Sequence, residues 1–392
     1  MTVAPKFRRS RHVLCSWDGA TVTLRNYATG TYARGPAAFC EIVAMCERWR
    51  PLDAIVKALA STRPEIVPGF VNRLVRAHIL YRSDVEPPAA ERLMTRLAPW
   101  NPEAGFFHAA TKDVPFTGSY LASQLTDASP GANGSNSSKG SHGAKAPPPV
   151  KRYPGTPSIA LPKPPRDGQF PEVLLARRTW RRFKTQALPL DDLSLLLDLT
   201  AGIQQWALSA SGQRSALKTS PSGGARHPID VYVLALRVDG LRRGLYHYAA
   251  DRHRLDRLKN TVHRQGVERY LPRQYWYADA AALVLFAASF DRILYRYRYS
   301  RAYRAALIEA GHLCQTFCLT ATWRGLAPFC SLALADSTIE RDLGLDGIRE
   351  SVLYAAGVGI PDGSLETGFA PRDVAAAPVV PNPTFTRRRL SS

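Results

Sequence analysis

Residues 301–325 read RAYRAALIEAGHLCQTFCLTATWRG, one long helix that is apolar on nearly every side yet carries Glu309, His312 and Gln315 in its middle. A helix greasy all round is buried, and buried polar groups must find partners. The stretch therefore predicts a buried helix whose polar patch must be satisfied from outside it. Cys314 and Cys318 lie four apart on it, but no second ligand pair follows at zinc spacing, so core packing and not a metal site is expected of them.

The flanks define a domain around this helix. Ala280–Ser289 (AAALVLFAAS) has the continuous apolar pattern of a central strand covered on both faces. Val231–Val238 alternates, Asp239-Gly240 turns, and Gly244–Tyr248 with Arg254–Leu258 completes antiparallel pairing. Pro171–Arg177 and Leu190–Gly202 read as helices, and no GxGxxG follows any strand. The expected fold class is α+β, an antiparallel-rich sheet surrounded by helices.

Two polar segments carry chemistry. In Arg177–Phe183 (RRTWRRF), the residues Arg177, Arg178, Thr179 and Arg181 offer guanidinium forks and a hydroxyl, a set suited to a phosphate monoester. In Ser220-Pro221-Ser222-Gly223-Gly224, two glycines after a serine let the backbone approach a flat ring and present amide donors. Without other support, the first would be a solvated basic face and the second a plain turn.

The chain has 392 residues, 45% hydrophobic, enough for two domains with a substantial core. Its formal charge of +20 would suit a nucleic acid or an anionic membrane. Arg supplies 42 of the 52 basic residues, however, scattered along the chain instead of gathered in one arm, so no nucleic-acid partner is expected. The N-terminal MTVAPKFRRSRH has no apolar segment behind it, and the longest apolar run is far too short to span a membrane. Six irregularly spaced cysteines fit reduced thiols in a cytoplasm.

Near the N-terminus, Val13–Trp17 and Thr21–Arg25 flank Asp18-Gly19 as a hairpin. Helices are expected at Pro36–Trp49, Asp53–Ala60 and Pro68–His78, then a strand at Ile79–Arg82 and a bridging helix at Pro87–Leu97. Ser129–Pro149 (SPGANGSNSSKGSHGAKAPPP) lacks the apolar surface to fold and reads as a linker.

The helix, RRTWRRF and SPSGGARHP together resemble the flavin-binding blocks of the nitroreductase superfamily, in particular its SagB-type branch of FMN-dependent peptide dehydrogenases, the thiazole/oxazole oxidases. The resemblance covers residues 170–362, with partial support from 1–112. It implies FMN as cofactor, with Arg177, Thr179 and Arg181 on the phosphate and Arg178 in a shifted pair with Arg182. Ser220–Gly224 would meet the ring, Ser222 and Gly223 foremost, while Glu309 and Gln315 support the site. Ala327, Pro328, Phe329 and Cys330 would set backbone against the flavin edge.

The implied organisation is a winged-helix-like peptide-binding domain (1–86), a bridging helix and lead-in segment with FFHAATKDV (87–116), a flexible linker (117–168), the FMN domain (169–380) and a disordered tail (381–392). NYATGTY, RPLDAI and LVRAHIL in the first part are similar to modules that take a leader peptide as an added strand. A plain structural or DNA-binding winged helix is the alternative, and the lack of a dense basic helix counts against DNA.

By this resemblance the chain would oxidise azoline rings of a ribosomally made precursor peptide to azoles in the cytoplasm. It would act as a homodimer, beside a cyclodehydratase, with oxygen reoxidising the flavin. One departure stands out. Where azoline-oxidising relatives carry Lys-Tyr, this chain has Tyr297-Arg298 within YRYRYSRAYR. Arg cannot be a base, because its pKa stays above about 12. Tyr297 or Tyr299 would then accept the proton, with Arg298 stabilising a developing anion. The rivals are an NAD(P)H-fed reductase of small quinones or nitroaromatics, and a degenerate, non-catalytic peptide-binding protein.

Overall fold

Two small antiparallel sheets and three helices open the chain in the computed structural model, which describes residues 4–59, 62–97, 99–113, 161–162, 166–208, 214–258 and 266–363. Strands β1 (Lys6–Arg9), β2 (Val13–Asp18), β3 (Thr21–Asn26) and β4 (Thr31–Gly35) lead into helix α1 (Ala38–Met45). Then come β5 (Arg50–Pro51), α2 (Leu52–Ala58), α3 (Val67–Arg76) and β6 (Leu80–Arg82). β2-β3-β4 is a meander whose first turn is the expected Asp18-Gly19, with Gly19 at φ +57°. β1 lies between β5 and β6 in the second sheet. Val22, Leu24, Phe39, Ile42, Ile55 and Leu74 fill the core of this unit. β1 and β4 escape a sequence reading because β1 fully buries only Phe7 and β4 only Ala33, so neither shows a run of alternation.

Two helices follow where one was expected: α4 (Ala89–Arg96) and α5 (Pro102–Ala110), the latter holding most of FFHAATKDV. Met94, Leu97 and Trp100 join Tyr27 of the first unit to Phe290 and Tyr303 further along the chain. Glu91 is buried and accepts from Ser10 Oγ at 2.6 Å and Asn26 Nδ2 at 3.3 Å. Most of the linker expected at 117–168, and the whole tail at 381–392, lie outside the described residues.

The larger part of the chain comprises α6 (Gln169–Ala176), β7 (Phe183–Lys184), α7 (Leu190–Ala201), a ribbon of β8 (Gln205–Leu208) and β9 (Arg214–Leu217), then β10 (Ile229–Ala235), β11 (Gly244–Ala249), β12 (Arg254–Arg257) and β13 (Ala282–Ser289). After these come α8 (Phe290–Leu294), α9 (Arg301–Trp323), β14 (Ala327–Ser331), α10 (Asp336–Leu343) and β15 (Glu350–Pro361). The sheet runs β12-β11-β10-β13-β15-β14, antiparallel at every pairing, with β7 added at the end of β15. This is the expected mixed fold of helices around an antiparallel sheet, with a separate N-terminal unit of strands and helices.

β13 explains its own sequence. Val284, Phe286 and Ala288 enter the core shared with α9, while Leu283, Leu285 and Ala287 enter the core on the other face. A strand covered on both sides has no polar alternation to show. Gly357 on β15 serves a close approach: a Cβ there would come within 2.2 Å of the Phe329 ring. Phe329 in turn stacks on Tyr277, centroids 3.8 Å apart.

α9 departs from the expectation of burial all round. Ala306, Glu309, Ala310, Leu313, Cys314, Phe317 and Cys318 are buried, but Arg304, Leu307, Ile308, His312 and Gln315 are exposed. Apolar side chains on that outer face, with Ile308 59% exposed, disguise the helix's true amphipathicity.

Candidate functional site

The loop between β9 and β10 gathers most of the polar chemistry. Gly224, Ala225 and His227 all have positive φ, +59°, +52° and +44°. For the two non-glycine residues this strain costs about 1–3 kcal/mol each, a pattern that clusters at functional sites. The loop is pinned from below: the His227 N–H donates to Ser222 Oγ at 2.8 Å, and Ser220 Oγ meets Thr316 Oγ1 of α9 at 3.0 Å. Ser222 also hydrogen-bonds Glu309, the buried carboxyl expected to support the site.

Burial pushes the Glu309 carboxyl up to about 7, and the Ser222 bond, Lys218 and Arg292 only partly offset it. His227 Nδ1 stands 3.9 Å from Glu309 Oε1, and burial also holds this imidazole below its usual value. Both groups thus lean toward their neutral forms, and the contact is not an ion pair near neutrality. His227 Nε2–H donates to the Ala216 carbonyl at 2.8 Å, which leaves Nδ1 as the acceptor facing Glu309.

Tyr297 closes the other side. Cβ atoms placed on Gly223 and Gly224 would lie 3.5 Å from its Cε2 and 2.9 Å from its phenol oxygen, respectively. The segments SPSGG and YRYRY, far apart in sequence, therefore meet. Tyr299 packs edge-on to Tyr297 at 6.0 Å but is half exposed. Arg296 lies over the Tyr297 ring, 5.9 Å from its centroid, and the side chains of Arg296 and Arg298 are both exposed. Gln315 likewise lies on the exposed side of α9, away from Glu309's buried side.

RRTWRRF is clamped between α6 and β14. The Trp180 N–H donates to the Pro328 carbonyl at 2.9 Å, and Phe183 lies over Gly359. Arg178 spends Nη1 on the Leu175 and Arg177 carbonyls, both at 2.7 Å, so it caps its own helix. Arg181 is different: its Nε is buried with no hydrogen-bond partner among the described residues. Thr179 beside it is half-buried. In β14, Ala327 and Phe329 are buried in the core, while the Pro328 carbonyl, Cys330 Sγ and Ser331 Oγ make hydrogen bonds to Trp180, Tyr354 and Gln274.

Three residues without an assigned role in the sequence reading line the same region. Lys218, His227 and Arg292 border a cleft of about 370 Å³ together with Trp206, Arg226 and Tyr248. Burial holds the Lys218 ammonium below its usual value. Arg292 reaches both Asp230 oxygens, at 3.1 and 2.7 Å, and the His227 carbonyl. His227 stood in plain view within SPSGGARHP, but nothing in the sequence pairs it with Glu309, 82 positions later.

Residues 174–360 match the family model described as Nitroreductase family. Among curated proteins, the trifolitoxin-processing protein TfxB of Rhizobium leguminosarum bv. trifolii is 32% identical over 43% of this chain and 46% of its own length. The Methanocaldococcus jannaschii protein MJ1384, described as a nitroreductase, is 29% identical over 44% of this chain and 82% of its own. The microcin B17-processing protein McbC of Escherichia coli is 29% identical over 36% of this chain and 53% of its own. The matched region thus spans about half the length of the two peptide-processing relatives.

Proposed function

Since residues 174–360 form a nitroreductase-family domain, we propose that this chain is an FMN-dependent oxidoreductase of the SagB type that matures a ribosomally made peptide, removing a hydride and a proton from an azoline ring to leave an azole. Proteins of this family generally bind FMN. The observation that carries the cofactor reading is Arg181 Nε, a buried donor with no acceptor among the described residues, beside Thr179 and Arg177. A buried unmet donor is costly, and a phosphate oxygen would satisfy it. Exposed backbone at Gly223 and Gly224 leaves room for a flat ring.

Bound FMN would supply the two-electron acceptor. The chain's own residues do the rest. Ser222 and the loop amides orient the ring, Glu309 holds the loop through Ser222, and the Tyr297 phenol beside Gly224 takes the proton. The names of TfxB and McbC support a peptide substrate, and the N-terminal unit supports leader docking, because β2 and β4 each leave one sheet edge unpaired among the described residues. A homodimer and a cyclodehydratase partner belong to the same proposal. Tyr297-Arg298 in place of Lys-Tyr, with the M. jannaschii relative, favours a second reading: an NAD(P)H-fed reductase of small molecules.

The test starts from colour. Purified protein should release FMN, and Arg181→Ala should weaken FMN binding ten- to a hundredfold, about 1.5–3 kcal/mol. With oxygen and an azoline-bearing peptide, the product should weigh two hydrogens less per ring. Flavin content unchanged in Arg181→Ala would move the phosphate elsewhere, and bleaching of the flavin by NADPH with no effect of peptide would favour the second reading.

A further inference from the structure

Cys314 and Cys318 are one turn apart on the buried side of α9, and the strand that follows returns Cys330 to the same place. Their three Sγ atoms lie within 4.8 Å of one another. No sequence spacing announces this set, because the third thiol comes from β14, which pairs with β15 alongside the helix. Cys314 and Cys318 are nearly inaccessible, at 2% and 4% exposure, and Cys330 is half-buried.

Two features around the thiols are those of a metal site. Tyr354 on β15 donates its hydroxyl to Cys330 Sγ at 3.2 Å, the outer hydrogen bond that commonly orients a ligating group. The positive charge of Arg177 acts on both Cys318 and Cys330. Simple packing needs neither a convergent trio nor a cation beside it.

We propose that Cys314, Cys318 and Cys330 bind a thiophilic metal ion, Zn(II), through three thiolates, with the fourth position open to the Tyr354 oxygen or water. Charge favours zinc over Cu(I). Three thiolates and a divalent ion leave one negative charge, which Arg177 offsets; a monovalent ion would leave two in a buried site. Zinc–sulfur bonds of about 2.3 Å in tetrahedral geometry set the sulfurs about 3.8 Å apart, so the thiols, already within 4.8 Å of one another, need to close by about an ångström at most. Binding releases the thiol protons to solvent and changes no oxidation state. The ion would tie α9 to β14 beside Arg177, whether or not a flavin occupies the neighbouring loop.

The full chain, tag-free and purified under reductant, is the material to test. After incubation with zinc and desalting it should retain roughly one zinc per chain by elemental analysis. The cobalt(II) form should show tetrahedral d–d bands to the red of any flavin absorption. Cys330→Ser and Cys314→Ala should lose both signals, whereas Cys46→Ser, in the N-terminal unit, should keep them. Tyr354→Phe should weaken zinc ten- to a hundredfold. Background zinc in the reduced wild type, a measurement needing no variant, would overturn the site. So would full metal content in a folded Cys330→Ser, or a Cys330 disulfide in the protein as isolated. Retention of Cu(I) with no zinc would overturn the ion assigned.

Discussion

Tyr297 shows how a single side chain acquires a role from its neighbours. In sequence it is one tyrosine of a Tyr/Arg ladder; in the fold its phenol lies against Gly224, and Arg296 lies over its ring. If it takes the proton during ring oxidation, Tyr297→Phe should lower turnover about a hundredfold or more while flavin content stays unchanged. Single-turnover rates of flavin reduction by an azoline peptide would read this directly. A near-normal rate would pass the role to Tyr299 or water.

At the scale of elements, α5 is held to α9 and to the loop before β15 by His108. The ring is 2% exposed, its Nε2–H donates to the Gly347 carbonyl at 3.1 Å, and Nδ1 accepts from the Tyr303 hydroxyl at 3.2 Å. Burial, aided by the Lys112 charge, pushes its pKa down to about 4 from 6.5. The unfolded chain therefore binds this proton first. The stability His108 contributes is fully present above pH 6.5 and is lost as pH falls through about 4. The loss reaches about 3 kcal/mol. Between those pH values wild-type stability should fall more steeply than that of His108→Gln, measured by denaturant melts at each pH. Parallel curves would show that the ring is not what couples α5 to acid.

At the scale of the whole molecule, the N-terminal unit is no loose appendage. Glu91 on α4 receives Ser10 and Asn26, and Tyr27 lies in the core that also holds Phe290. Removing the first 86 residues would strip those partners from a buried carboxylate, so point variants test peptide docking more cleanly. Trp17 and Tyr32 are 60% and 62% exposed on β2 and β4. Trp17→Ala or Tyr32→Ala should weaken binding of a precursor peptide by about 1–2 kcal/mol, five- to thirtyfold, with flavin absorbance unchanged. Calorimetric affinities equal to wild type in both would place the leader elsewhere. No helix among the described residues is long and apolar enough to cross a membrane.

Local chemistry made much of this molecule legible in its sequence. The apolar run of β13, the Asp18-Gly19 turn and the 23 residues of α9 each show their state within a short window, because pleat, turn and helical hydrogen bonds are local. SPSGG and RRTWRRF could be singled out for the same reason: glycine freedom and guanidinium forks belong to the residues themselves. Contacts between distant segments were not legible. The meeting of Tyr297 with Gly224, of Glu309 with His227, and of Cys330 with Cys314 and Cys318 depends on how β10, β13, β15 and β14 order themselves beside α9. Which face of α9 is buried was hidden too, since Leu307 and Ile308 are as apolar as the residues that pack inside. Side-chain identity determines what a residue can do, but only sheet order and helix rotation decide what it does it to.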